Sequence, residues 1–195
     1  MDTLQPGSCI ICYEADPPPI QSGCACRGES GLAHVGCRIK VAMSQMAHRG
    51  NLAWWLCQTC KQSFTGAMQT GLSEASWSRV RDQAAGSDER IGAAGNLANS
   101  YMAQGRYAEA EQVQRDMHEV SMHVLGPEHP STLAMAGNLA LSLSHQGKYA
   151  HAEQIAREVL EVQKRKLGAE HPSTLNTTNV AVRSSHRDTL DYLIN

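Results

Sequence analysis

The sequence predicts a mostly α-helical chain in two parts: a small module stapled by two metal ions, then an array of paired antiparallel helices. Two observations predict it. All seven cysteines fall in the first 60 residues, where with one histidine they form four pairs, Cys9/Cys12, Cys24/Cys26, His34/Cys37 and Cys57/Cys60. Further along, a 42-residue unit recurs: aligning Asn96 to Gly137 with Asn138 to Asn179 gives 22 identities. A two-residue gap lets a tight turn aim two side chains at one ion, and zinc wants four soft or borderline ligands in a tetrahedron, so eight ligands imply two Zn2+. A period of this length marks stacked helix pairs, because one pair cannot bury its apolar face alone.

Composition excludes several classes. The polar opening Met1-Asp2-Thr3 and the odd number of cysteines argue against a secreted disulfide framework. The expected setting is a reducing one, cytoplasmic with the nucleus as alternative. No run of 18 apolar residues occurs, so no membrane span is expected. The formal net charge is -2. Up to Gly66, Arg27, Arg38, Lys40, Arg49 and Lys61 are set against Asp2, Glu14, Asp16 and Glu29, which leaves no basic footprint for nucleic acid.

The elements follow in order. Residues 1–66 form the zinc finger, too short to bury a sufficient core, so each ion must contribute on the order of 10 kcal/mol. Asp16-Pro17-Pro18-Pro19 has to be a stiff extended loop, since each proline fixes φ and restricts its predecessor. Ile39, Val41, Ala42, Met43 and Met46 predict a short amphipathic helix stopped at Gly50-Asn51. Residues 67–90 are expected to be a linker, with a helix from Leu72 to Ala85 that carries Trp77 and Val80 on one face and breaks at Gly86-Ser87-Asp88. Residues 91–195 hold two full repeats and one partial. In each, Leu97/Tyr101 or Leu139/Leu143 face one side, Gly105 or Gly147 ends the first helix, and Ala110 or Ala152 lets the second pack closely. Leu125-Gly126 and Leu167-Gly168 end the second helices, and Pro130 and Pro172 suit a first helical turn. The next Asn-x-Ala, Asn179-Val180-Ala181, comes one residue early, so a third first-helix is expected without a recognisable partner, and Tyr192-Leu193-Ile194 would leave an apolar face there.

The blocks "GRYAEAEQ" and "GKYAHAEQ", followed by "LGPEHPSTL" and "LGAEHPSTL", resemble the tetratricopeptide repeat of the longer kind found in kinesin light chains, over residues 91–179. That resemblance implies a concave groove that binds a peptide or protein. Asn96 and Asn138 match its groove-facing asparagine, and Asn99, Met102, Ser144 and His145 fall on the same side by helical spacing. Glu128-His129-Pro130 and its repeat read as connector chemistry, because they recur with the array.

The spacing Cys24-x-Cys26-x7-His34-x2-Cys37, with Arg27-Gly28 after Cys26, resembles RING-CH, the variant RING finger of membrane-associated ubiquitin ligases. The plant homeodomain finger shares the ligand order but generally leaves a shorter gap before its histidine. Both imply a cross-brace: one ion on Cys9, Cys12, His34 and Cys37, the other on Cys24, Cys26, Cys57 and Cys60, with His48 a solvated helix residue. The RING-CH resemblance implies a ubiquitin ligase whose partners are a ubiquitin-conjugating enzyme and ubiquitin, with substrate in the repeat groove. Ile11 then matches the apolar contact to the conjugating enzyme and Lys61 the cation that bridges enzyme and ubiquitin. Val41 and Gln58 depart from the tryptophan and proline common there. The alternative is an adaptor that only binds proteins. A histone reader is a weaker reading, since Trp55 fits zinc-side packing and only Tyr13, Trp54, Trp55 and Phe64 are available for an aromatic cage.

Overall fold

The structure is a computed structural model that describes residues 7–26 and 31–194, with side chains followed through residue 185. The chain divides into two compact units, Met1–Asp82 and Gln83–Asn195.

In the first unit, two short antiparallel strands, β1 (Ile20–Gln21) and β2 (Leu32–Ala33), pair Ile20 with Ala33 and Gln21 with Leu32. Helix α1 (Val35–Arg49) follows, its cap His34 extended at φ -73 and ψ 143. It stops at Gly50, whose φ of 54 suits a residue without Cβ, and His48 and Arg49 in the last turn complement the negative end of the helix dipole. A 3-10 turn (Gly50–Trp54) brings Trp54 under the core at 1 % exposure, where it joins Phe64, Met68, Leu72 and the sulfurs of Cys9 and Cys57.

Residues 67–82 of the segment expected as a linker fall in this unit, and residues 83–90 fall in the second. The segment's helix, α2 (Gly66–Val80), begins six residues before Leu72, because Met68, Leu72 and Ala75 share one face and that face is buried in the core of this unit. Gly71 lets α2 approach α1 closely: a Cβ there would lie 2.4 Å from Val35 Cγ1. The residues from Asp88 onward already belong to the next helix.

Among the described residues the second unit has five helices: α3 (Asp88–Ala103), α4 (Tyr107–Val124), α5 (Pro130–His145), α6 (Tyr149–Leu167) and α7 (Pro172–Ile194). The first helices end alike. Gly105 and Gly147 take φ 72 and 78, and the following amides of Arg106 and Lys148 donate back to Tyr101 and Leu143. The starts of α5 and α7 are also copies, since His129 Nδ1 accepts from the Ser131 amide and His171 Nδ1 from the Ser173 amide, each at 3.2 Å. The recurring Glu-His-Pro is therefore cap chemistry, with histidine in the role serine usually has. Ala110 and Ala152 are fully buried where the paired helices meet, and Leu139 and Leu143 pack against Ala152.

Helix α7 keeps the 42-residue register that its motifs obscure. Thr174 and Ser184 are buried as Thr132 and Ser142 are, and Ala181 packs with Ala140 and Ala156. Its other face differs, because Leu175 is 50 % exposed where Leu133 is 7 %, and Val182 49 % where Ala140 is 0 %. The apolar end expected at Tyr192-Leu193-Ile194 lies outside the described side chains, as the Arg27-Gly28 pair lies outside the described residues.

Candidate functional site

Two turns of the same construction carry four of the cysteines. In the first, the Cys9 amide donates to the Glu14 carbonyl at 2.9 Å and the Tyr13 amide to Cys9 at 2.9 Å; in the second, Cys57 donates to Gln62 at 2.9 Å and Lys61 to Cys57 at 3.0 Å. Tyr13 and Lys61, each directly after a pair's second cysteine, take φ 65 and 59. Lone positive φ values at non-glycine residues are uncommon, and their recurrence at equivalent positions marks one device used twice. The Cys24/Cys26 pair follows Gly23, at φ 69, whose missing Cβ makes room for Thr65; the Thr65 hydroxyl donates to the Gly23 carbonyl at 2.9 Å. The last pair lies at the start of α1.

These pairs gather in alternation. Cys9, Cys12, His34 and Cys37 form one group and Cys24, Cys26, Cys57 and Cys60 the other, with all ligand atoms of a group within 4.8 Å of one another. Each group could hold a metal ion, and the spacings test which. Bond lengths of about 2.3 Å to sulfur and 2.05 Å to nitrogen in a tetrahedron require edges of about 3.8 Å between sulfurs and about 3.6 Å between nitrogen and sulfur. Cys26 Sγ lies 3.7 Å from Cys57 Sγ, and His34 Nδ1 lies 3.4 Å from Cys12 Sγ and 3.6 Å from Cys37 Sγ. All seven cysteines are free thiols, and 3.7 Å is far beyond a disulfide bond of about 2.04 Å. The donor set and its spacing fit tetrahedral zinc.

Electrostatics fit as well. Burial pushes the Cys9 thiol up, but the amides of Cys12, His34 and Ile11 directed at its sulfur outweigh burial and bring it down to about 6. The Gln62 amide leads the lowering of Cys60 to about 6. Their neighbours move the other way: Cys57 beside it drives Cys26 up to about 12, while burial and then the Cys12 and Cys9 sulfurs raise Cys37 to about 11. Four thiolates cannot share so small a volume unless a cation lies among them.

The proposed contact residues lie on the same two turns. Ile11 is half-buried against the core of the first unit, and its amide lies 3.5 Å from Cys9 Sγ. Lys61 is exposed, and its Nζ donates to the Gln58 carbonyl at 2.5 Å. The Gln58 side chain accepts from Gln45 of α1, and Arg49 of α1 donates to Gln45 at 2.6 Å and to the Leu56 carbonyl at 2.9 Å. Gln58, where the resemblance led one to expect proline, is a member of this polar chain. Val41 and Gln58 do share one shallow depression beside Phe64. His48 is exposed on α1, and Trp55 packs against the core.

In the second unit a cavity of about 490 Å³ opens between α5 and α7. Asn138, Ser144 and His145 line it, and the His145 ring stacks on Tyr107 with centroids 4.7 Å apart. Asn96, half-buried, and Asn99, exposed, lie on α3 and line no part of it, nor does Met102, whose sulfur accepts the Ser142 hydroxyl at 3.1 Å. Sequence reasoning did not single out Asn176, Arg183 and Gln163, which also line the cavity. Gln163 is 3 % exposed, and its Oε1 has no hydrogen-bond partner among the described residues. The signal for Arg183 was the period: it lies 42 residues after Leu141, itself 42 after Asn99.

Residues 89–165 match the family model of the tetratricopeptide repeat. Among solved structures, the chain is similar to the nearly identical TPR-like repeats of a kinesin-light-chain-type protein of Podosopora anserina, at 20 % identity and a TM-score of 0.50. A single-substitution variant of that protein gives 21 % and 0.51, and both alignments cover 80 % of this chain and 67 % of the other. At such identity the likeness is one of fold. None of the curated proteins matches the chain. No helix among the described residues is long and apolar enough to cross a membrane. The second unit carries tetratricopeptide repeats, a helical architecture suited to protein interaction.

Proposed function

We propose that the chain is a ubiquitin ligase of the RING-CH type. Two zinc ions shape the first unit, that unit holds a ubiquitin-conjugating enzyme with its thioester-linked ubiquitin, and the repeat groove holds the protein to be modified. What supports the reading is the alternation of ligand pairs, first with third and second with fourth, together with the seven residues between Cys26 and His34 that set it apart from the plant homeodomain finger. Such a finger forms no covalent bond itself. A substrate amine attacks the thioester carbonyl and the enzyme's thiol leaves, and the finger contributes by holding the reactants in the reactive pose. Ile11 supplies the apolar contact to the conjugating enzyme, and Lys61 the cation placed between enzyme and ubiquitin. The groove contributes Asn138 and His145, with Arg183 as the cation at the α7 side.

The adaptor reading is favoured by one observation: Lys61 is folded onto Gln58, and Gln58 is tied to Gln45. Both positions would have to release these bonds to meet a conjugating enzyme. The histone reader has less support, since Trp54 and Phe64 are 1 % and 4 % exposed and so absent from any surface cage.

The test is reconstitution with activating enzyme, a panel of conjugating enzymes, ubiquitin and ATP. The ligase reading expects self-ubiquitination that falls at least about tenfold in Ile11→Ala with zinc content unchanged, a loss of about 1.4 kcal/mol of transition-state stabilisation. Lys61→Ala should slow thioester discharge more than it weakens enzyme binding. Silence across the panel selects the adaptor.

A further inference from the structure

We propose that the segment Asp16–Pro19 is a positioning element for the first metal group: the Pro17 carbonyl selects the His34 tautomer that offers Nδ1 to the ion. The inference rests on the zinc reading above.

An imidazole differs from a thiolate as a ligand, because it has two nitrogens, and either can carry the proton of the neutral ring. His34 is the half-buried cap of α1 and makes no capping hydrogen bond there. Its Nδ1 faces Cys12 and Cys37 at 3.4 and 3.6 Å, while its Nε2 lies 2.5 Å from the Pro17 carbonyl oxygen. A carbonyl can only accept. Nε2 must therefore hold the proton, which leaves the Nδ1 lone pair directed at the sulfurs. A flipped ring would turn a carbon toward the group and lose both contacts.

What holds that carbonyl is the sequence rather than burial. Asp16, Pro17 and Pro18 are all exposed, so packing does not restrain them. Three consecutive prolines restrict four successive residues, and none of the three has an amide hydrogen. The second group consists of four cysteines and contains no ligand with this ambiguity. Loosening the loop should therefore affect one ion and spare the other.

The experiment uses the full chain, loaded with zinc, and follows release of each ion to a chromogenic chelator. Pro18→Gly with Pro19→Gly should accelerate one ion by roughly tenfold or more, the size of effect that outer partners of metal-bound histidines have, and leave the other at the parent rate. In a His34→Cys background the same loop change should shift release by less than about twofold, because a thiolate has no tautomer to select. Nitrogen-15 spectra of the parent should report a protonated Nε2 and a metal-bound Nδ1 at His34. Unchanged release, equal acceleration of both ions, an undiminished effect in the His34→Cys background, or an Nε2-bound metal would each overturn the proposal while leaving the zinc reading intact. Fewer than two ions in the parent would overturn both.

Discussion

Replacing Glu111 with Gln should loosen the joint between the two full repeats, and pH should reveal the cause. Glu111, on α4, is 12 % exposed and accepts three hydrogen bonds: from Arg115 at 2.6 Å, from Lys148 at the start of α6 at 2.7 Å and from Gln146 after α5 at 2.8 Å. Burial alone would raise its carboxyl, but Lys148, Arg115 and Gln146 outweigh burial and bring it from 4.5 to about 2. At about 1.4 kcal/mol per tenfold change in affinity for the proton, the full preference would be worth ~3 kcal/mol. Lys148 and Arg115 are 46 % and 53 % exposed, so water screens both, and a loss of about 1–2 kcal/mol is expected for Glu111→Gln at pH 7. The sign follows from a depressed pKa: the contribution is fully present above the unfolded value near 4.5 and is lost as pH falls through the folded value near 2. The assay is urea unfolding followed by helical circular dichroism for parent and variant, from pH 7 down to 2. Equal stability at pH 7, or a gap that stays constant to pH 2, would refute the reasoning.

Other consequences can be measured alongside. Gly71→Ala should destabilise the first unit by about 1–3 kcal/mol, since the new methyl meets Val35 Cγ1 at 2.4 Å, and Val35→Ala in the same chain should recover much of it, as read by thermal unfolding. With a peptide ligand in hand, Asn138→Ala and Arg183→Ala should each weaken binding about five- to tenfold by calorimetry. Asn96→Ala should change it less, because Asn96 does not line the cavity between α5 and α7.

Much of this was legible in the sequence because the signals were periodic or paired. The 42-residue recurrence set the helix pairs, their glycine stops and the closely packed Ala110 and Ala152. The ligand spacing named the eight side chains that the fold gathers into two groups. Features that depend on distant contacts were not legible. The start of α2 at Gly66 follows from Met68 joining Trp54 in the core of the first unit, which no local pattern announces. The groove was read from asparagines in the repeat motif, whereas the cavity lies toward α7, where motif matching fades although the spatial register persists; Arg183 and Gln163 enter there. The bond from His34 to Pro17 joins residues 17 apart through a loop whose stiffness alone was visible.

The most direct measurement is a native mass spectrum of the purified chain with zinc and of two variants. The account predicts two zinc ions on the parent, and fewer than two on His34→Ala, whose first unit should unfold while the repeats stay helical. In Cys24→Ser with Cys60→Ser it predicts the same loss, because a unit too short to bury a sufficient core needs on the order of 10 kcal/mol from each ion. A parent that carries one ion or none would contradict the two-site finger from which the functional proposal is built.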